Sequence, residues 1–561
     1  MIRDGIEGLA DSTHDICVVG AGPVGIALAL ELSRQGRRVL VLESGGDGPD
    51  DAAQKLSDAE IADPARHDSM SIAVSRQLGG TSNLWGGRCL PYDAIDFEHR
   101  PVHGDARWPI GLADLTPHFS RAIQYACAGA DVFQTDELTT TGDDARFSTA
   151  HLERWSTNKR AQIAHRDALT RDPAIDVRLG ATAVAFRWID DRVSRVIVAA
   201  CDGQGTNVAV DAVVLATGGL ESTRLLLSEQ RKTPARFGGA DGALGRYYMG
   251  HVIGEIADVV LTSEAVDRAF DFTIDLHGSY VRRRITPSPT FLRENNLLNC
   301  AFWPVVPPVA NPAHRDGFLS TIALGLSVDA LGRRIVPEAI RRRHIPDEMK
   351  RGPHLQNVLR DLPSAIIEVP KLFWRRYGAK VPAPAFFKHN AAHRYGLSYH
   401  AEQAPRRDSR VWLGERQDAF GLPRLTIDLR FSRDDAASVV TLHDALTQWL
   451  PTAGIGTLVS RMSEDERIDA VLRQASHGTH QIGTARMAAS ARDGVVDGDL
   501  RAFGCSNLYV ASSAVLPTSG QANPTLTVMA LAMRLADRLA KPQHITSSSS
   551  SASEQRNAAA A

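Results

Sequence analysis

The sequence predicts an α/β protein of two domains, and three observations carry that reading. A short apolar strand, a glycine turn, a helix and a second strand follow one another over 15–43. Closely spaced strand signals fill 176–216 and lead into a helix. Over 251–470 strand and helix signals then segregate into blocks, as expected of an antiparallel sheet backed by helices. At 561 residues the chain exceeds what one ordinary core accommodates. The expected division is a discontinuous first domain, 12–250 with 471–541, a second domain over 251–470, and a disordered Ser- and Ala-rich tail over 543–561.

The first unit has strands at 15–19 and 38–43 around a helix at 24–35. Its turn, Gly20-Ala21-Gly22-Pro23-Val24-Gly25, has dinucleotide-binding spacing of Rossmann type, and Glu43 follows at the end of the next strand. Gly20, Gly22 and Gly25 let a pyrophosphate approach the helix N-terminus, whose free amides and dipole attract anions. Glu43 can accept hydrogen bonds from both ribose hydroxyls and repel the extra phosphate of NADP. The competing role for the glycines is helix packing alone. FAD and NAD both use such a unit, so the remaining motifs must decide between them.

Residues 44–75 are polar and read as a surface excursion with no packed strand. The next loop, 76–87, is again Gly-rich. Its Gly79, Gly80, Thr81, Ser82, Asn83, Trp85 and Gly86 could follow a pyrophosphate and continue beneath a flavin ring, which points to FAD. Strands expected at 176–179, 183–188, 193–199 and 208–216 end in Ala216-Thr217-Gly218-Gly219, opening a helix at 221–228 and bringing Ala216 and Gly218 to the same cofactor. The second domain should hold strands at 271–303 and 395–430 and helices at 330–377 and 433–449. Near the C-terminus, 476–487 contains His477 and His480, Ser512 and Ser513 follow, and Asn523-Pro524-Thr525 opens the last helix. Asn before Pro is a good N-cap and N1 pair.

Lys and Arg (63) nearly balance Asp and Glu (65), so charge recruits neither nucleic acid nor an acidic membrane surface. The one basic cluster, Arg341-Arg342-Arg343-His344 with Arg333 and Arg334, reads as a solvated helix face. Six cysteines without CxxC spacing suit neither zinc nor an iron–sulfur cluster, so no metal is expected. No segment approaches the ~20 apolar residues of a membrane span. With no signal-peptide pattern either, the expectation is a cytoplasmic protein with no direct membrane insertion; export with a signal-bearing partner would leave no mark.

In their order along the chain these motifs resemble those of glucose-methanol-choline (GMC) oxidoreductases, particularly bacterial sugar and alcohol dehydrogenases and pyranose 2-oxidase. The resemblance covers 20–25 with Glu43, 79–87, Trp108-Pro109-Ile110, 213–227, 245–251, 402–413 and both C-terminal stretches; 255–395 carries no matching motif. It implies an FAD-dependent oxidase or dehydrogenase taking hydride from a CH–OH group of a sugar or other alcohol to flavin N5. His480, in the H-x-x-G-T-x-x-M pattern, would be the base, with His477 orienting the loop. O2 or another acceptor would reoxidise the flavin.

Asn523 stands where several family members carry a second histidine; it cannot take a proton and would position the substrate hydroxyl, while Pro524 and Thr525 border the cofactor. Leu84 occupies the place of the flavin-linking histidine of pyranose oxidase, which implies noncovalent FAD. Ala511-Ser512-Ser513-Ala514 stands where the family often has an acidic or glycine residue, a change that backbone contacts from Ser512 and Ser513 to the cofactor would survive. The same fold and histidine also serve hydroxynitrile lyases, the alternative reading. Phe302, Trp303, Phe386, Phe387, His389, Tyr395, Tyr399 and His400 are candidates for the substrate side, with core packing as the competing role.

Overall fold

A computed structural model describes residues 1–138, 144–336, 348–460 and 462–540, together with 338, 341 and 344–346. The tail expected at 543–561 and Arg342 and Arg343 of the basic cluster lie outside these residues. The α/β class with a Rossmann-type domain and an antiparallel second sheet is the fold observed.

The first sheet is built on strand His14–Val19, whose Cys17-Val18-Val19 is apolar on both faces and therefore fully buried between helix layers. It pairs in parallel with Val39–Leu42 on one side and with Gly205–Leu215 on the other. Ile175–Leu179 and Ile2–Asp4 extend one edge in parallel; Arg192–Ala200 and Ala181–Ile189 extend the other as an antiparallel meander. Leu508–Val510 adds a further parallel strand to Gly205–Leu215. Residues near both ends of the chain thus share one sheet, and helix Pro23–Arg34 and the terminal helix Thr525–Leu539 bury apolar faces in the same core.

The second sheet runs in the order Gly456–Val459, Val252–Leu261, Arg394–Ala401, Cys300–Val305, Tyr280–Pro287, Phe147–Trp155, Arg88–Cys89, every pair antiparallel. Helix Arg433–Thr452 backs it with Ala436, Val439, Val440, Leu446 and Trp449. Phe147–Trp155 and Arg88–Cys89 precede residue 250 yet belong here, so the sheet draws on both expected segments.

The reading of 44–75 as an excursion without a packed strand requires correction. Glu60–Ile61 pairs in parallel with Pro423–Asp428, and Met70, Ala73 and Val74 join a small core with Leu425 and Ile427. The spacing of Met70, Ala73 and Val74, at i, i+3 and i+4 along helix Met70–Ala73 and its C-cap, is the signal for this packing. Among the described residues, no helix is long and apolar enough to cross a membrane.

Candidate active site and cofactor cavity

The three fingerprint glycines meet three different demands. Gly20 has φ +101° and a Cβ there would fall 2.7 Å from the Ala216 carbonyl oxygen, so only glycine suits the turn. A Cβ on Gly22 would meet nothing within 4 Å and would project into open space at the N-terminus of helix Pro23–Arg34. A Cβ on Gly25 would fall 2.0 Å from the Gly20 carbonyl, so this glycine seats helix against strand. The second loop touches the first, since a Cβ on Gly80 would lie 2.9 Å from the Gly22 Cα.

One cavity runs along these turns. Gly20, Gly22, Glu43, Gly80, Thr81, Ser82, Trp85, Gly86, Ala216, Gly218, Ser512, Ser513, Pro524 and Thr525 line it, and so do His480 and Asn523. Gly25, Gly79 and Asn83 stand behind the wall. Gly79 turns with φ +88°, and the Asn83 amide donates to the carbonyls of Leu78 and Gly80 while its oxygen accepts from Gln162. These three shape the loops from outside the cavity.

Glu43 is buried, and its carboxylate oxygens accept from the amides of Ala21 and Gly45, each at 2.9 Å. Burial pushes its pKa up against those bonds. The Ser512 hydroxyl is buried beside the cavity without a protein partner. Open glycine faces, an unsatisfied hydroxyl, a buried acid and a helix N-terminus along one cavity fit an elongated ligand with ribose and pyrophosphate groups, as in FAD.

The loop carrying His480 is clamped on two sides. Ile482 exchanges both backbone hydrogen bonds with Met249, and the amides of Gly483, Ala485 and Met487 donate to the carbonyls of Ser513, Ala514 and Val515. Gly483 has φ +89°, and a Cβ there would meet the Tyr247 carbonyl at 2.3 Å, which explains the glycine of the G-T pair. Gly219 makes a close approach too, 2.1 Å from its virtual Cβ to the Gln481 carbonyl oxygen. The His477 ring shapes the turn, its Nδ1 accepting from the amides of Gly478 (3.0 Å) and His480 (3.3 Å).

The His480 ring is held at both nitrogens. Asn523 Nδ2 donates to Nε2 at 3.3 Å, and Nδ1 lies 2.9 Å from the Nδ1 of His251. With Nε2 accepting, neutral His480 carries its proton on Nδ1 and donates it to His251. Burial, then the charge of Arg88, lowers the pKa of His251 to about 3, keeping it a neutral acceptor. His400 stacks on His251 with centroids 4.3 Å apart and donates from Nδ1 to the Gln521 carbonyl. Burial, then His251, holds its pKa well below the usual histidine range. The ring nitrogens of His251, His477 and His480 come within 4.8 Å of one another, but the closest pair is already joined by a hydrogen bond.

The expectation that Asn523 caps the last helix is not met. Pro524 occupies the N-cap position with no side-chain cap, because the Asn523 amide is turned toward His480 instead. Among the proposed substrate-side residues, His400 reaches this histidine group, with Trp303 6.4 Å from it. Phe302, Phe387, Tyr395 and Tyr399 pack in the second core, Phe386 packs on Phe318, and His389 faces Asp271. Sequence reasoning missed His251 as a partner of the base; its only signal was its place in the 245–251 segment.

Two family models match the chain: GMC oxidoreductase over 405–532 and FAD dependent oxidoreductase over 15–133. The chain is 23% identical to paromamine 6'-oxidase of Streptomyces fradiae across 96% of its length and 93% of the relative's. It is 22% identical to 2-methyl-1,2-propanediol dehydrogenase of Mycolicibacterium austroafricanum, across 95% and 96%. A shorter match, 36% identical, covers 21% of this chain and 24% of 6'''-hydroxyparomomycin C oxidase of Streptomyces lividus. The fold is similar to that of an FAD-dependent oxidoreductase from Chaetomium thermophilum, with TM-score 0.52, 14% identity and coverage of 94% and 98%. Fold, cavity and family matches together define an FAD-dependent oxidoreductase. Over 405–532 the chain is similar to the GMC oxidoreductases.

Proposed function

We propose that the protein oxidises a CH–OH group of a small hydroxylated molecule, with His480 as the base and Asn523 as the group that orients the substrate oxygen. The observation that carries this reading is that His480 and Asn523 face one another in the cavity that the fingerprint glycines also line. Bound FAD would supply the hydride acceptor, at flavin N5.

Residues of this chain then account for the proton. A substrate hydroxyl placed between Asn523 Nδ2 and His480 Nε2 would accept from the amide and donate to the imidazole, replacing their direct 3.3 Å contact. With its Nδ1–H donated to His251, His480 has Nε2 free to take that proton, and His251 goes on accepting from the Nδ1–H of the imidazolium that results. The N-terminus of helix Thr525–Leu539 borders the cavity through Pro524 and Thr525, where its dipole favours negative charge. Gly20, Gly22 and the 79–87 loop would hold the pyrophosphate. Leu84, also in the wall, offers no nucleophile, which supports noncovalent FAD.

Relatives named for paromamine and for a propanediol support a sugar derivative or a simple alcohol as substrate. Electrons would pass to O2 or to another acceptor. The test is an absorption spectrum of the purified protein, then of the supernatant after acid precipitation, then anaerobically with a panel of sugars and alcohols. Free FAD in the supernatant and bleaching by one compound are expected. A protein that stays colourless with added FAD contradicts the cofactor reading. A yellow protein that no alcohol bleaches contradicts alcohol oxidation and favours a lyase.

A further inference from the structure

Exposed apolar side chains are concentrated in one place. Of the 18 large ones exposed among the described residues, ten lie within 328–377. The helices there, Gly317–Leu326, Asp329–Ile335, Arg351–Arg360 and Leu362–Phe373, bury Phe318, Leu319, Ala323 and Leu326 in a small core of their own. Outward they present Leu355, Leu359, Leu362, Ile366, Phe373 and Tyr377, spaced at helical intervals, with Leu359 76% exposed and Trp374 beside them 68% exposed. Exposed large apolar side chains clustered in this way mark an interaction face.

The local charge, which the near-zero net charge conceals, differs from the expectation that no acidic membrane surface is recruited, and it identifies the partner. Residues 306–390 carry 14 Lys and Arg against 7 Asp and Glu, whereas the rest of the chain carries 49 against 58. Arg351, Arg360, Lys371, Arg375 and Lys380 are exposed around the stripe. The acids of the two outer helices are tied inward or paired: Asp361 accepts from the Gly317 amide and Glu368 pairs with Lys371. A second copy docked symmetrically on this face would bring cations against cations, a juxtaposition that costs binding energy. Apolar and aromatic residues rimmed by cations instead match the boundary between headgroups and acyl chains.

We propose that this helical face docks the protein peripherally on an anionic phospholipid surface. The apolar stripe and Trp374 enter the acyl boundary, and the surrounding Arg and Lys meet the headgroups.

The test is sedimentation of the full-length, FAD-loaded protein with vesicles of phosphatidylcholine alone and of equal parts phosphatidylcholine and phosphatidylglycerol. Pelleting with the mixed vesicles only, weakened by salt, is expected. Arg360→Glu with Arg375→Glu should weaken partition by about tenfold or more, since each cation near such a surface is worth about fivefold. Ile366→Glu with Trp374→Glu should abolish it. All four side chains are exposed, so flavin spectrum and circular dichroism should match the wild type and certify the fold. No pelleting, or equal pelleting with both vesicles, overturns the proposal. So does a dimer by light scattering that Ile366→Glu with Trp374→Glu splits, which would make the face a self-interface.

Discussion

The Nδ1 atoms of His251 and His480 lie 2.9 Å apart, although 229 positions separate the two residues. One of the two nitrogens must hold the proton and the other must accept it. The Asn523 amide at the far side of the His480 ring decides which, and it leaves Nε2 of His480 as the basic nitrogen facing the cavity.

His251→Phe keeps an aromatic ring against His400 and removes the acceptor. Flavin reduction by substrate should slow by about 3- to 10-fold, the net worth of one hydrogen bond. Because His251 acts through His480, the same change in a His480→Ala background should slow reduction no further. Rapid-mixing measurements on the two single variants and the double variant check this; full additivity would make His251 a packing residue only.

Asn523→Ala should lower the rate of flavin reduction and leave thermal stability nearly unchanged, because the side chain caps no helix. A lost N-cap would instead cost about 1 kcal/mol. Melting curves recorded beside reduction rates separate the two roles.

Gly219→Ala inverts the usual helix rule. Gly219 stands in the first turn of helix Gly218–Lys232; alanine ordinarily stabilises a helix interior by about 1 kcal/mol over glycine, yet here its Cβ would fall 2.1 Å from the Gln481 carbonyl, next to His480. A stability loss of about 1 to 3 kcal/mol and lower FAD occupancy are expected, read by denaturant unfolding and the ratio of flavin to protein absorbance.

Acid should destabilise the fold through buried neutral histidines. Burial lowers His251 to about 3 and His443, which donates to the Val439 carbonyl, to about 4. Between pH 6.5 and those values the unfolded chain binds more protons than the folded one, so stability falls as pH falls. Each group should cost about 3 kcal/mol by pH 4. Melting temperature against pH measures the fall, and His443→Phe should flatten it.

The parallel sheet and its turn were legible because a buried strand, a glycine turn and an acid keep fixed spacing. Strands 183–188 and 193–199 were legible from alternation, and their observed ends, Ala181–Ile189 and Arg192–Ala200, differ by one to two residues. Val252–Leu261 escaped because its apolar positions at Val252, Ile253, Ile256, Val259, Val260 and Leu261 do not alternate: the strand shifts register between Glu255 and Asp258. His251 and His400 could not be read as partners of His480, since only the long-range pairing of Val252–Leu261 with Arg394–Ala401 brings them together. The capping reading of Asn523 failed because a local rule yielded to a contact 43 positions away.

The central claim is that His480 takes the substrate proton beside a bound flavin. The most direct measurement is anaerobic flavin reduction, followed at the flavin absorbance band, for the wild type and His480→Ala with the best alcohol of the panel. The account predicts a variant with unchanged FAD content whose flavin reduces about 10² to 10⁴ times more slowly. Reduction of the variant at the wild-type rate would contradict it.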